Sequence, residues 1–263
     1  MSGPRSDLLA AVQRSPEAAA THDRPGWVGL FAPDGRVEDP VGSRPHVGGH
    51  AIGRFYDTFI GPRDIVFHPD ADIVCGSTVI RDVVLGVAMG PSVTMRIPAV
   101  LRYDLRQVDG EWKFQRLQAY WELPAMMLQF LGNGLAAGSQ GMALSRALLG
   151  NQGLRGAVGF AAGFRGPRIR GRRTVRALLD AIAVGDELRA RRTLTSGAVV
   201  TRAERTTMKF SALREELSGR SPVKILVAGS SVTVSLAGPA PAVLVAELVD
   251  SGRAISTLTY FAE

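Results

Sequence analysis

The stretch Val37-Glu38-Asp39-Pro40-Val41-Gly42-Ser43-Arg44-Pro45 decides how this chain is read. Two adjacent carboxylates stand just before a proline. A residue preceding proline is driven out of the helical region toward extended backbone, so Arg36 to Pro40 reads as a short extended segment. Successive side chains of such a segment point to opposite faces, which separates Glu38 from Asp39. Taken alone, Asp39 either starts a turn before Pro40 or is a carboxylate aimed into a pocket.

Upstream lie the apolar run Trp27-Val28-Gly29-Leu30-Phe31 and a turn at Pro33-Asp34-Gly35. Before them, Asp7 to Ala20 has a helical pattern with Asp7 as its N-cap. Downstream, His50 to Phe59 repeats apolar residues at Ile52, Phe55, Tyr56 and Phe59, the spacing of a helix. Strand-like runs follow at Ile65–Phe67, Asp72–Cys75, Val79–Met89, Val93–Tyr103 and Trp112–Trp121. Turns at Met89-Gly90-Pro91-Ser92 and Val108-Asp109-Gly110 make the last three a meander. Phe67-His68-Pro69 reads as a strand end with a solvated His68.

The order then recurs. Thr174 to Arg192 reads as a helix capped by Thr174, with Val175, Leu178, Leu179 and Ile182 on one face. Ala198–Thr201 is a short strand and Ser211–Leu217 a short helix. Four strands follow: Val223–Ala228, Ser231–Leu236, Ala242–Val249 and Ala254–Phe261. Helix, short strand, helix and four antiparallel strands thus occur twice, which predicts an internal duplication. A curved antiparallel sheet with helices on one face is an α+β cone around an apolar cavity, the usual setting of a small-molecule site.

Three parts are expected: a first domain over 1–122, a helical Gly- and Arg-rich connecting segment over 123–172, and a second domain over 173–263. The length of 263 residues suits two domains. With 46% hydrophobic and 21% charged residues the composition is that of a globular chain. It excludes a disordered chain, a collagen-like repeat and a disulfide scaffold. The single cysteine, Cys75, permits no internal disulfide, fits a reducing cytoplasm and reads as a buried apolar residue. The net charge of +7 is concentrated. No acidic residue occurs between Glu122 and Asp180, while eight arginines do: Arg146, Arg155, Arg165, Arg168, Arg170, Arg172, Arg173 and Arg176. An Arg-, Ala- and Gly-rich chain with three lysines has the composition of a GC-rich bacterial genome. Met1 to Arg14 does not read as a secretory leader, and without an 18-residue apolar run no spanning helix is expected. No His, Cys, Asp and Glu cluster has ligand spacing, so neither a metal nor a cofactor is expected.

The EDPVGS run resembles the general-base motif of the Δ5-3-ketosteroid isomerases and SnoaL-like proteins of the nuclear-transport-factor-2-like (NTF2-like) superfamily. The likeness continues through Gly48, Ala51-Ile52, Arg54 and Phe55-Tyr56, and includes Asp34-Gly35. It is good over residues 27–121, weaker over 6–26 and only at fold level over 173–263. The resemblance implies tandem NTF2-like cones. It makes Asp39 the base that moves a proton next to a carbonyl and Tyr56 a supporting member of an oxyanion network.

The chain departs from the family at the oxyanion hole, which there combines a Tyr and a protonated Asp. Ser15 follows Val12-Gln13-Arg14 where the family has the Tyr, and no acid stands near Pro98-Ala99-Val100. Tyr56, Tyr103 and Tyr120 are the substitute donors. Trp121 falls where the family has a large pocket aromatic. The cavity is expected to draw on Val28, Phe31, Phe55, Ile65, Phe67, Val84, Met95, Ile97 and Trp121, with Tyr103 and Tyr120 nearby.

The expected function is double-bond isomerisation on a lipophilic, steroid-like or polyketide-like substrate. A non-catalytic carrier of such a ligand is the first alternative, and an epoxide hydrolase or cyclase, which needs a second carboxylate, is the next. Aligning Gly35–Asp39 with Gly197–Thr201 puts Thr201 at the base position of the second copy, which is therefore expected to be inactive. A fused second copy would leave the chain monomeric; otherwise a homodimer is expected. Residues 124–176, with the small-residue pattern Gly159-Phe160-Ala161-Ala162-Gly163, offer a peripheral membrane contact. The alternative there is a helical linker with solvated arginines. Nucleic acid is not an expected partner, because the arginines lack interleaved aromatics.

Overall fold

A computed structural model describes residues 4–88, 93–132, 168–203 and 206–263, with residues 142, 146, 150, 151, 153, 158 and 159 between them. The turn expected at Met89–Ser92 and most of the expected membrane-contact segment, including 160–163, lie outside the described residues. The chain divides into two compact units, Met1–Phe164 and Arg165–Glu263.

The first unit opens with helix α1 (Pro4–Ala20), which starts before the expected cap. Leu8, Ala11, Val12, Ser15, Pro16 and Ala19 are its buried residues, and their three-to-four spacing makes one stripe that faces the core. Helix α2 (Arg24–Gly29) carries the buried Trp27, and its N-cap Asp23 accepts a hydrogen bond from Gly26 N at 2.9 Å. Losing such a cap typically costs about 1 kcal/mol. Asp23→Ala should therefore lower the unfolding free energy by about that amount, read as a shift in the urea midpoint at unchanged slope. An unshifted midpoint would show that the cap contributes nothing.

Strand β1 (Phe31–Glu38), strand β2 (His46–Val47) and helix α3 (Gly48–Phe55) follow. A wider helical turn over Tyr56–Ile60 continues α3. Then come β3 (Asp64–Cys75), β4 (Thr78–Ala88), β5 (Thr94–Val108), β6 (Glu111–Tyr120) and helix α4 (Leu123–Gly132). The two runs expected at 65–67 and 72–75 are one strand with a register irregularity after Pro69. His68, inside β3, is exposed. Asp109 and Gly110 both take positive φ in the β5–β6 turn, the conformation that a two-residue hairpin requires. Cys75 is only half-buried.

The sheet order is β2-β1-β6-β5-β4-β3. The sheet is mixed, where an antiparallel one was expected: β1 runs parallel to β6, with Val37 opposite Leu117 and Glu38 opposite Gln118. The chain enters β1 from α2 and reaches β6 only through a four-strand meander, so the first and last long strands meet side by side.

The second unit has the same plan. Helix α5 (Arg168–Ala183) and helix α6 (Glu187–Arg191) stand where one helix was expected. Gly185, at φ +75°, ends the first, and the Asp186 side chain caps the second by accepting from Arg189 N. Thr174 is not a cap. It lies inside α5 and its hydroxyl donates to Arg170 O and Gly252 O. Strands β7 (Leu194–Arg202) and β8 (Thr206–Thr207) and helix α7 (Phe210–Leu217) follow. Strands β9 (Ser221–Ala228), β10 (Ser231–Ala237), β11 (Ala242–Val249) and β12 (Ala254–Ala262) complete the unit. The sheet order β8-β7-β12-β11-β10-β9, again with one parallel pair, mirrors the first sheet strand for strand. The chain is a tandem of two α+β units of one topology, as the duplication in the sequence implies.

Register corrects one sequence alignment. Val200 pairs with Leu258 as Val37 pairs with Leu117, and all four belong to their units' apolar cores. Val200 therefore stands where Val37 stands. Thr201 answers to Glu38, and Arg202, rather than Thr201, to Asp39. By the same register Tyr260 answers to Ala119 and Ala262 to Trp121.

Candidate active site

Strand alternation builds a cavity on the inner face of the first sheet. Ile65 lies beside Val87, Phe67 beside Leu85, Ile97 beside Leu85 and Met95 beside Val87; Leu101 lies beside Ala119 and Tyr103 beside Leu117. All of these line one cavity of about 970 Å³, its open mouth included. Ser15, Trp27, Phe55 and Met126 close it from α1, α2, α3 and α4. Val84, expected in the lining, is one residue out of phase with Leu85 and faces the other side of the sheet.

Asp39 also lines this cavity, while Glu38 does not. The extended segment separates them as its alternation requires. Glu38 turns away and accepts hydrogen bonds from Gly42 N and Gln118 Nε2, each at 2.9 Å. It thereby holds the bend that follows Asp39. Val41 N donates to Ala119 O at 2.9 Å, which fixes the chain beyond the cis Asp39–Pro40 bond against β6.

Asp39 Oδ1 accepts a hydrogen bond from the Trp121 indole Nε1 at 2.6 Å. Asp39 keeps some accessible surface because it faces the cavity, yet the surrounding protein strips its carboxylate of bulk water. Burial raises its pKa from the usual 3.8 to about 6, against the lowering effect of the Trp121 bond. The acid form is stabilised by about 3 kcal/mol relative to water. Half of the groups are thus ionised near pH 6, poised between taking a proton and returning it.

Tyr103 is the second polar group. It is 1% exposed, and burial pushes its hydroxyl up to about 12. The nearby Arg81 and a hydrogen bond from Ser15 pull down, while Asp72 and Asp39 push up. The hydroxyl stays protonated at any ordinary pH and acts as a donor. Ser15, which also lines the cavity, accepts a hydrogen bond from Trp27 Nε1 at 3.2 Å. Arg81 forms a two-pronged ion pair with Asp72, at 2.8 and 2.9 Å, and donates to Gln13.

Of the expected site residues, Asp39, Phe55, Phe67, Met95, Tyr103 and Trp121 share this cavity. Phe31, Tyr56 and Tyr120 lie outside its lining. Phe31 is buried against Trp27 and Phe114, at ring distances of 5.0 and 5.3 Å. Tyr56 packs tilted against Trp27, ring centres 5.6 Å apart, and its buried hydroxyl has no hydrogen-bond partner among the described residues. Tyr120 follows a different phase from Trp121 and its hydroxyl donates to Gln118 Oε1 at 3.3 Å. Among the polar residues of the lining, sequence reading passed over Ser15 and Arg63. Ser15 sits on the buried stripe of α1, which marks it as inward. Arg63 follows a proline in a turn and carries no periodic signal.

Residues 12–114 match the model of the SnoaL-like domain family. Among solved structures, the chain is similar to a Δ5-3-ketosteroid isomerase from Mycobacterium sp. at 30% identity. The match spans 46% of this chain and 96% of that one, with a TM-score of 0.40. It is also similar to a Mycobacterium tuberculosis protein in complex with estradiol-17beta-hemisuccinate, at 25% identity over 45% of this chain and 95% of that one, with a TM-score of 0.41. An epoxide hydrolase of M. tuberculosis matches at 15% identity over 50% of this chain and 94% of that one, with a TM-score of 0.42. Among the described residues no helix is long and apolar enough to cross a membrane.

Proposed function

We propose, for a chain that belongs to the SnoaL-like domain family through its residues 12–114, that the first unit moves a proton next to a carbonyl of a lipophilic, steroid-like or polyketide-like substrate. One observation carries this reading. A carboxylate with a pKa near 6 and a protonated tyrosine face one apolar cavity.

The steps follow from the residues. The cavity walls take the apolar body of the substrate out of water. Asp39 removes a proton from the carbon beside the carbonyl, and negative charge moves onto the carbonyl oxygen. The Tyr103 hydroxyl donates a hydrogen bond to that oxygen. The Trp121 indole keeps the carboxylate of Asp39 turned into the cavity. Asp39 then returns the same proton to the carbon at the far end of the dienolate, and the double bond has shifted. Its pKa makes both halves feasible: a base much weaker would not take the proton, and one much stronger would not give it back.

The second unit lacks these parts. In its register Arg202 stands at the position of Asp39 and pairs with Glu216 at 2.9 Å. Ala262 stands where Trp121 does, and the fully buried Tyr260 fills the place that Ala119 leaves open. An epoxide-opening reaction is not favoured, because Asp39 is the only carboxylate in the lining of the cavity among the described residues. The single hydroxyl donor, where the family resemblance implies two, favours ligand carriage as the second reading.

The test is the ultraviolet absorbance of the conjugated enone formed from a 3-oxo-Δ5-steroid. Enone formation supports the proposal; its absence with retained steroid binding leaves the carrier. The rate kcat/KM should rise with pH and reach half its plateau near pH 6, where Asp39 loses its proton. Trp121→Phe removes the bond that stabilises the carboxylate, so its half-point should move to higher pH. A profile unmoved by this substitution would detach Trp121 from the base.

A further inference from the structure

The cavity holds a cation that the reaction above does not use. Arg63 lies in its lining, half-buried, with its guanidinium 5.9 Å from the centre of the Phe59 ring. Its one side-chain hydrogen bond among the described residues runs from Nη1 to Thr58 O at 2.6 Å. A guanidinium carries five N–H donors, so most of this one is unengaged by protein. No carboxylate among the described residues pairs with it. Its neighbour Asp64 is turned to His22, at 3.2 Å.

This is unlike the chain's treatment of arginine elsewhere. The two fully buried arginines, Arg81 and Arg102, each meet a carboxylate, Asp72 and Asp104. Desolvation lowers the pKa of Arg63 to about 10, with no acid to offset it. The two charged groups stand on different elements of the cavity wall. Asp39 lies in the interior beside β6, and Arg63 lies on the partly exposed turn that leads into β3.

We infer that the ligand is an amphipathic acid, whose rigid apolar body reaches Asp39 while a carboxylate at its other end is held by Arg63. The inference rests on the cavity being the ligand site proposed above. A carboxylate matches the planar fork of a guanidinium with two parallel hydrogen bonds. The apolar surroundings strengthen such a pair. A neutral ligand in the same position would leave those donors to water rather than to a charged acceptor.

The experiment compares a cholanic acid with its methyl ester, each titrated into the full chain and followed by quenching of tryptophan fluorescence. Trp27 and Trp121 in the lining report directly on occupancy. The acid should bind at least about tenfold more tightly than the ester, the worth of one charge-assisted pair. In Arg63→Met the ester should bind as it does to the wild type, which also shows an intact cavity, and the acid should lose its advantage. Arg63→Lys should retain part of it. Equal binding of acid and ester by the wild type, a preference that survives in Arg63→Met, or failure of both to bind would each overturn the inference. Enone formation from a neutral steroid is read separately. Turnover without an acid preference would remove this inference alone, and an acid preference without turnover would remove the isomerase reading alone.

Discussion

Asp39→Asn should lower the rate of enone formation by about 10²–10⁴-fold, the usual contribution of a general base, while steroid affinity stays within a few-fold. The amide fills the same volume and still accepts the Trp121 hydrogen bond through its oxygen, so the cavity keeps its shape. What is lost is the ability to take a proton. Stability should move the other way. The folded-state pKa of Asp39, about 6, lies above the usual 3.8. Between these values the folded chain binds a proton that the unfolded chain releases, so stability falls as pH rises from about 4 to about 6. Above that window the native chain bears the cost of a desolvated charge. Asp39→Asn removes this cost, and its thermal midpoint at pH 7 should exceed that of the wild type. The two should converge as pH drops below about 4. A variant that is inactive and also less stable at pH 7 would mean that Asp39 supports the fold rather than the reaction.

Tyr103→Phe should cost about 10²–10³-fold in kcat, the typical loss of one oxyanion donor. KM should change little, because the hydroxyl strengthens its bond only as charge reaches the carbonyl oxygen. The half-point of the pH profile should stay with Asp39. A loss confined to KM would make Tyr103 a binding residue, and an unchanged kcat would leave the oxyanion without a protein donor. The measurement also decides between the three tyrosines of the first unit, since Tyr56 and Tyr120 lie outside the cavity lining and their Phe variants should turn over normally.

The fold was legible where a short run rich in apolar and β-branched residues is closed by turns. Ser231–Leu236 and Ala242–Val249 were read within one residue, because such a run and its bounding turns are local properties, although both faces of these strands are buried. The parallel pairing of β1 with β6 was not legible, since a strand's partner is chosen by the whole chain. The phase of β5 held information that was only half used. Met95, Ile97, Leu101 and Tyr103 have the same parity, so whatever places Met95 in the cavity places Tyr103 there too. Adjacent residues on a strand face opposite sides, and Tyr120 and Trp121 cannot both line the cavity. Thr201 was misassigned for a related reason. Val199 and Val200 look alike in sequence, and only their exposure, 47% against 5%, shows which one faces inward. Arg63 had no pattern to betray it, being one residue of a turn whose side chain is aimed by tertiary structure alone.

The exchange of Ala119 for Tyr260 between the two copies has a historical consequence. In an assembly of identical chains, a mutation that fills one cavity fills every cavity, and selection on activity removes it. Two copies on one chain escape that coupling, and one can gain core volume while the other stays hollow. The change then works as a ratchet. Once a tyrosine is packed to full burial, reverting it to alanine would open a void at a cost of about 3–5 kcal/mol, before any missing carboxylate or indole is restored. Each intermediate on the way back would be less stable. Two copies on one chain thus let one pack a tyrosine where the other keeps its cavity open.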